Sequence, residues 1–116
     1  MTMVRIYHNP RCQKSREALK LLQKHEDKIE IVEYLKNPPS IAELSALVTK
    51  MKMKPEDLVR KKEPLYKNKY RERTFSDREW IKIMVNNPVL IERPIIVRNR
   101  RVILARPPEK VNDLYD

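Results

Sequence analysis

The sequence contains no glycine. Phosphate loops of the GxGxxG or GxxxxGKS/T kind need glycine for tight turns and close backbone approach, so they are excluded. Turns must rest on the nine prolines and on Asn and Asp. There is a single cysteine, Cys12. No intramolecular disulfide can form, and redox chemistry at Cys12 must take its second thiol from another molecule. His8, His25 and Cys12 do not fall at metal-ligand spacing, so no metal site is expected. No apolar run approaches the ~18–20 residues of a membrane span. The segment Met1 to Tyr7 shows strand-like alternation rather than the basic, apolar and small-residue blocks of a signal peptide. No membrane association is expected, and the cytoplasm is the expected compartment.

What is present is a basic, globular composition. Hydrophobic residues make up 41%, enough for one core in 116 residues, so a single domain spanning 1–116 is expected. Lys and Arg number 26 against 16 Asp and Glu, a net charge of +10. Such a surface attracts anions. The basic residues are spread along the chain, with short clusters at Arg60-Lys61-Lys62 and from Arg98 to Arg101. A nucleic-acid site usually shows a denser stripe interleaved with aromatics, and aromatics are only 6% here. A solvated basic surface is the expectation, without a nucleic-acid partner.

Periodicity gives the order β-α-β-α-α-α-β-β-α. Met3 to Tyr7 reads as a strand, broken by His8-Asn9-Pro10-Arg11. A helix runs from Cys12 to about His25 on Ala18, Leu19, Leu21 and Leu22. Ile29 to Leu35 reads as a second strand, stopped at Asn37-Pro38-Pro39. Ser40-Ile41-Ala42-Glu43 and Ser76-Asp77-Arg78-Glu79 are capping boxes. The first opens a helix with Ile41, Leu44, Leu47 and Val48 on one side; the second opens one with Trp80, Ile81, Ile83 and Met84. Pro55 begins a short helix between them. Residues 60–74 are very polar and read as irregular. Ile95 to Val97 and Val102 to Leu104 form a hairpin with Asn99 at positive φ. Pro107-Pro108-Glu109 opens a last short helix. The order fits an α/β fold of thioredoxin-like type.

Cys12 falls where a strand gives way to a helix. A thiol there meets unpaired N–H groups and the positive end of the helix dipole, both of which favour the thiolate. Arg11, Lys14 and Arg16 add positive charge, and His8 can contribute if protonated or donating. The same N–H groups suit an oxyanion. A lone cysteine can equally be a small buried hydrophobe, although these flanks are polar. Ser15 sits where a Cys-x-x-Cys motif has its second cysteine. Its hydroxyl can bond the thiolate, or simply be an ordinary helix N-terminal serine. Arg60, Arg93 and Arg106 each stand beside apolar or proline residues, and a guanidinium suits a tetrahedral oxyanion. Any one of them can also be a plain surface residue. Pro94 precedes a strand; in a thioredoxin-like fold a cis proline there commonly faces the active cysteine.

The segment Tyr7-His8-Asn9-Pro10-Arg11-Cys12-Gln13-Lys14-Ser15-Arg16 resembles the active-site segment of glutaredoxin-coupled arsenate reductases, the ArsC family. The likeness continues in Tyr34-Leu35-Lys36-Asn37-Pro38-Pro39-Ser40, in Leu58 to Pro64, in Asn87 to Ile95, and in Leu104-Ala105-Arg106-Pro107. The resemblance implies that Cys12 attacks arsenate to form a covalent adduct. It implies that Arg60, Arg93 and Arg106 hold the oxyanion, with His8 and Ser15 supporting the thiolate and Pro94 structural beside it. Glutathione then attacks as co-substrate, arsenic is reduced, and glutaredoxin regenerates the thiol. No tightly bound cofactor is implied, and a monomer is expected.

Two alternatives stand beside this reading. One is a thiol reductase of another oxyanion or of a glutathionylated protein. The other is a regulator of the related Spx type, which binds RNA polymerase. Those proteins commonly carry Cys-x-x-Cys, whereas position 15 here is serine.

Overall fold

The structure is a computed structural model and describes residues 3–115. The chain divides into two compact units, Met1–Asn37 with Arg93–Asp116, and Pro38–Glu92.

The first unit is built on a four-stranded sheet of order β2-β1-β3-β4. Strand β1 spans Val4–His8, β2 Glu30–Glu33, β3 Ile95–Arg98 and β4 Arg101–Leu104. Helix α1, Gln13–Gln23, joins β1 to β2, which lie parallel with Ile6 opposite Ile31. Strand β3 runs antiparallel to β1, Ile96 opposite Ile6, and β4 closes a hairpin with Ile103 opposite Ile96. The parallel β1–β2 pair comes from the helical crossover, and the antiparallel β3–β4 pair from the tight turn. That turn places Asn99 at φ 56°, where an asparagine is tolerated better than most residues. The Asn99 side chain accepts from the Met3 N–H, and its own N–H donates to the Met3 carbonyl, fastening the turn to the start of β1.

Strand β2 is shorter than its apolar residues suggest. It is an edge strand paired only to β1, and Ile31 and Leu35 remain 47% and 44% exposed. The core of this unit gathers Val4, Ile6, Ala18, Leu22, Ile96, Ala105, Val111 and Leu114. It is formed where α1 and a closing 3₁₀ segment, Pro108–Tyr115, pack together. Tyr115 locks that segment. Its hydroxyl donates to Glu26, its ring stacks on His25 at 4.0 Å between centroids, and Arg98 lies over it at 4.4 Å. Burial, followed by the Glu26 carboxylate, pushes the Tyr115 phenol up to about 12.

The second unit packs α2, Ile41–Lys50, and α3, Asp77–Asn86, with a 3₁₀ turn at Pro55–Leu58. Both serine caps form: Ser40 accepts from the Glu43 N–H, and Ser76 and Glu79 bond reciprocally. Leu44, Leu47 and Val48 are buried as their spacing predicts, while Ile41 stays 43% exposed in the first turn. Residues 60–74 correct the sequence reading. A π-helical turn occupies Tyr66–Tyr70. Tyr66 and Tyr70 are four apart and share one side, where both meet Trp80, with Phe75 edge-on to that indole at 4.9 Å. The surrounding lysines and arginines mask this aromatic pair in any average over polarity.

The missing glycine has a visible cost. Helix α2 ends in a Schellman motif, with Lys52 N–H on the Thr49 carbonyl and Met53 N–H on the Val48 carbonyl. Its left-handed position is held by Lys52 at φ 57°. A β-carbon there is strained. Lys52→Gly is therefore expected to stabilise the fold by about 0.5–1 kcal/mol, read as a higher urea midpoint. A lower midpoint would show that the lysine side chain contributes more than its backbone costs.

Candidate active site

The site begins at the C-terminal end of β1. The chain turns at Asn9-Pro10-Arg11, with the Cys12 N–H donating to the Asn9 carbonyl at 3.0 Å and the Arg16 guanidinium donating to the Pro10 carbonyl at 3.0 Å. Cys12 is the N-cap of α1, extended at φ −95° and ψ 121°, with no side-chain capping bond. It is buried, 9% exposed. Burial pushes its thiol up. The opposing effects are larger together: the Ser15 and Lys14 N–H groups and the Arg93 guanidinium hold it below its ordinary value. The physical cause is the one the sequence position implies, since free amides at a helix start stabilise an anion.

Ser15 is fully buried. Its hydroxyl sits 2.6 Å from His8 Nδ1 and accepts from the Asn9 N–H at 3.1 Å. Ser15 therefore faces the sulfur through its backbone amide, while its hydroxyl ties α1 to the end of β1. This hydroxyl–imidazole bond was not visible in the sequence; the seven-residue spacing crosses a turn whose path no local pattern fixes.

His8 is also buried, 6% exposed. Burial lowers its pKa from the ordinary 6.5, and Arg16 acts in the same direction, with Glu33 opposing. His8 is neutral in the fold and takes a proton more readily once unfolded. The unfolded chain thus binds more protons just below pH 6.5, so this contribution to stability is full above that pH and is lost as pH falls through the window beneath it. The urea midpoint of the wild type is expected to fall on acidification from about pH 7, ahead of the carboxylates, and His8→Asn to flatten that early fall. An unchanged early fall in the variant would assign it to other groups.

Arg93 is buried, 5% exposed, two residues before β3, beside Cys12. The Arg106 guanidinium donates to the Arg93 carbonyl at 3.2 Å, which draws the two arginines together. The Arg93–Pro94 bond is cis, and so is Arg106–Pro107, which sequence reasoning did not single out. Pro94 is fully buried, and its carbonyl accepts from the Ala105 N–H. His8, Cys12, Ser15, Arg93, Pro94 and Arg106 thus belong to one compact unit. Arg60 belongs to the other, where its guanidinium pairs with Glu63 at 3.0 Å and its N–H donates to the Leu90 carbonyl.

A cavity of about 280 Å³ lies beside the turn, walled by His8, Asn9, Pro10, Arg11, Glu33, Leu35 and Lys36. A larger one, about 440 Å³, lies within the second unit among Ile41, Val48, Met53 and Ile81. No histidine lines it, whereas His8 lines the smaller. Among the described residues no group of three or more His, Cys, Asp or Glu could hold a metal ion, and no helix is long and apolar enough to cross a membrane.

A sequence model of the ArsC family matches residues 7–114. The Escherichia coli K12 protein YfgD is 43% identical over 113 residues, covering 96% of this chain and 95% of that protein. An arsenate reductase of Escherichia coli is 38% identical over 115 residues, covering 98% of this chain and 82% of that protein. Among solved structures, an arsenate reductase from Vibrio cholerae superimposes with a TM-score of 0.90 at 38% identity, over 97% of each chain. With these relatives the fold is the thioredoxin-like α/β type expected from the element order.

Proposed function

The chain belongs to the ArsC family, and on that footing we propose that it is an arsenate reductase-like thiol oxidoreductase whose nucleophile is Cys12. The observation that carries this reading is the thiol at the start of α1, held below its ordinary pKa by the Ser15 and Lys14 amides and by Arg93. A thiolate at neutral pH is what attack on a polyanionic oxyanion requires.

In the proposed reaction the Cys12 thiolate bonds to arsenic and one arsenate oxygen leaves as water, taking up protons. Arg93 and Arg106 neutralise the charge on the remaining oxygens. Arg60 is given the same part by the family resemblance alone. His8 stays neutral and holds Ser15, and through it the amide that faces the sulfur. With one cysteine in the chain, the next thiol comes from another molecule, and in this reading that molecule is glutathione. Arsenic gains two electrons and becomes arsenite, and the electrons come from two thiol sulfurs that end joined as a disulfide. Glutaredoxin returns the thiols to the reduced state. No tightly bound cofactor enters, a monomer is sufficient, and residues 1–116 serve as one functional domain. The cytoplasm, where glutathione keeps thiols reduced, is the compartment this chemistry needs.

The test is arsenate-dependent oxidation of NADPH with glutathione, glutaredoxin and glutathione reductase. Turnover that saturates with arsenate is expected. Absence of turnover, with Cys12 still alkylating rapidly at neutral pH, would retain a thiol enzyme and remove arsenate as its substrate.

A further inference from the structure

The cavity of about 440 Å³ in the second unit carries none of the groups of the thiol chemistry. Ile41, Ser45, Val48 and Thr49 line it from α2, at the i, i+4, i+7, i+8 spacing of one helix face. Asp77 and Ile81, one turn apart, line it from α3. The two helices pack together, and the short side chains of Ser45 and Thr49 leave space on this face instead of filling it. The left-handed turn at Lys52 then brings the chain back. The Met53 N–H bonds to the Val48 carbonyl, and Met53 and the buried Pro55 complete the wall.

The lining defines what fits. Its floor is apolar, with Val48, Pro55 and Ile81 all buried, and Ile41 in the wall leaves a further apolar surface open to solvent. The Thr49 hydroxyl donates to the Ser45 carbonyl at 2.9 Å, which leaves its oxygen as an acceptor. Asp77 and Arg78 are exposed and successive, and both line the cavity. Among the described residues neither pairs with the other or with a third charge. The cavity therefore joins an apolar floor to one carboxylate and one guanidinium, both uncommitted. A lone anion meets repulsion from Asp77, and a lone cation meets it from Arg78. The complement of this set is a molecule with ammonium and carboxylate close together and an uncharged, apolar body.

We infer that this cavity binds a free α-amino acid with a large apolar side chain. Its carboxylate lies on Arg78, its ammonium on Asp77 and its side chain against Val48, Pro55 and Ile81. The volume of about 440 Å³ lies within the range of small-molecule sites and holds a leucine or an aromatic side chain with room for water. Met53 in the wall is unbranched and adapts to either shape. The inference goes beyond the proposed thiol chemistry and does not depend on it.

The test is binding followed by NMR. Full-length protein is titrated with L-leucine, L-phenylalanine and L-tryptophan, each to about 10 mM, and methyl and amide shifts are recorded. At least one should shift the methyls of Ile41, Val48 and Ile81 in a saturable way. For L-phenylalanine, the matched probes are 3-phenylpropanoate, which lacks the ammonium, and 2-phenylethylamine, which lacks the carboxylate; the matching pair is used for leucine or tryptophan. Each should bind at least about fivefold more weakly than its parent amino acid. Asp77→Asn and Arg78→Gln should each weaken the amino acid by a similar factor, and both positions are exposed, so the fold is kept. No saturable shift at the cavity with any of the three amino acids overturns the inference. So does equal affinity for the probes that lack one charge, which would mark a site for apolar molecules in general.

Discussion

Cys12→Ser is expected to lower arsenate turnover by at least about a thousandfold, to the level of the reaction without enzyme. The serine hydroxyl stays protonated under conditions that ionise the thiol, so neither the Ser15 and Lys14 amides nor Arg93 can make it a nucleophile. The fold should not suffer. Cys12 is the N-cap of α1 and makes no side-chain capping bond, whereas serine is among the preferred N-cap residues. The variant should therefore melt no lower than the wild type, and a gain of up to about 1 kcal/mol is reasonable for a new cap. Loss of activity with stability kept is the signature of a nucleophile. Appreciable turnover in this variant would move the covalent step away from Cys12.

Arg93→Ala is expected to lower kcat/KM for arsenate by roughly 10- to 100-fold, the size of one charge-assisted hydrogen bond. Two effects contribute. The oxyanion loses a buried guanidinium, and the thiol loses one of the groups that hold its pKa down. The variant should consequently show its alkylation profile moved to higher pH, which a loss of oxyanion binding alone would not cause. The Arg106 contact survives in principle, because it goes to the Arg93 backbone carbonyl. Arg93→Lys should recover part of the thiol shift, since a cation is restored, and less of the arsenate kcat/KM, since the planar fork is not. If circular dichroism shows Arg93→Ala unfolded while Arg93→Lys retains full activity, the guanidinium is a packing element rather than an oxyanion ligand.

Much of this molecule was legible in the sequence because its signals are local. Ser76 and Glu79 form the reciprocal cap that their spacing predicts, and Asn99 takes positive φ in a hairpin that lacks glycine. The position of Cys12 between a strand and a helix predicted a thiol facing free amides, and the chain places the Ser15 and Lys14 N–H groups there. What was not legible depends on side chains meeting across turns. The His8–Ser15 bond is one such case, and it redirects the Ser15 hydroxyl from the sulfur to the imidazole. The nearness of Arg93 to Cys12 is another, since β3 reaches β1 only through sheet pairing. The aromatic side of Tyr66, Tyr70 and Trp80 was hidden for a different reason, because basic residues fill the intervening positions. Arg60 was grouped with Arg93 and Arg106 by the resemblance alone; it lies in the other compact unit, where its guanidinium pairs with Glu63.

The central claim is that this fold turns its only cysteine into a thiolate. The direct measurement is the rate of Cys12 alkylation by iodoacetamide as a function of pH, compared with a small free thiol. Because the folded pKa is lowered, the reactivity profile should be displaced to lower pH than that of the free thiol, whose value is ~8.5. A midpoint at or above that value would mean that burial outweighs the amides and Arg93, and would contradict the assignment of Cys12 as an activated nucleophile.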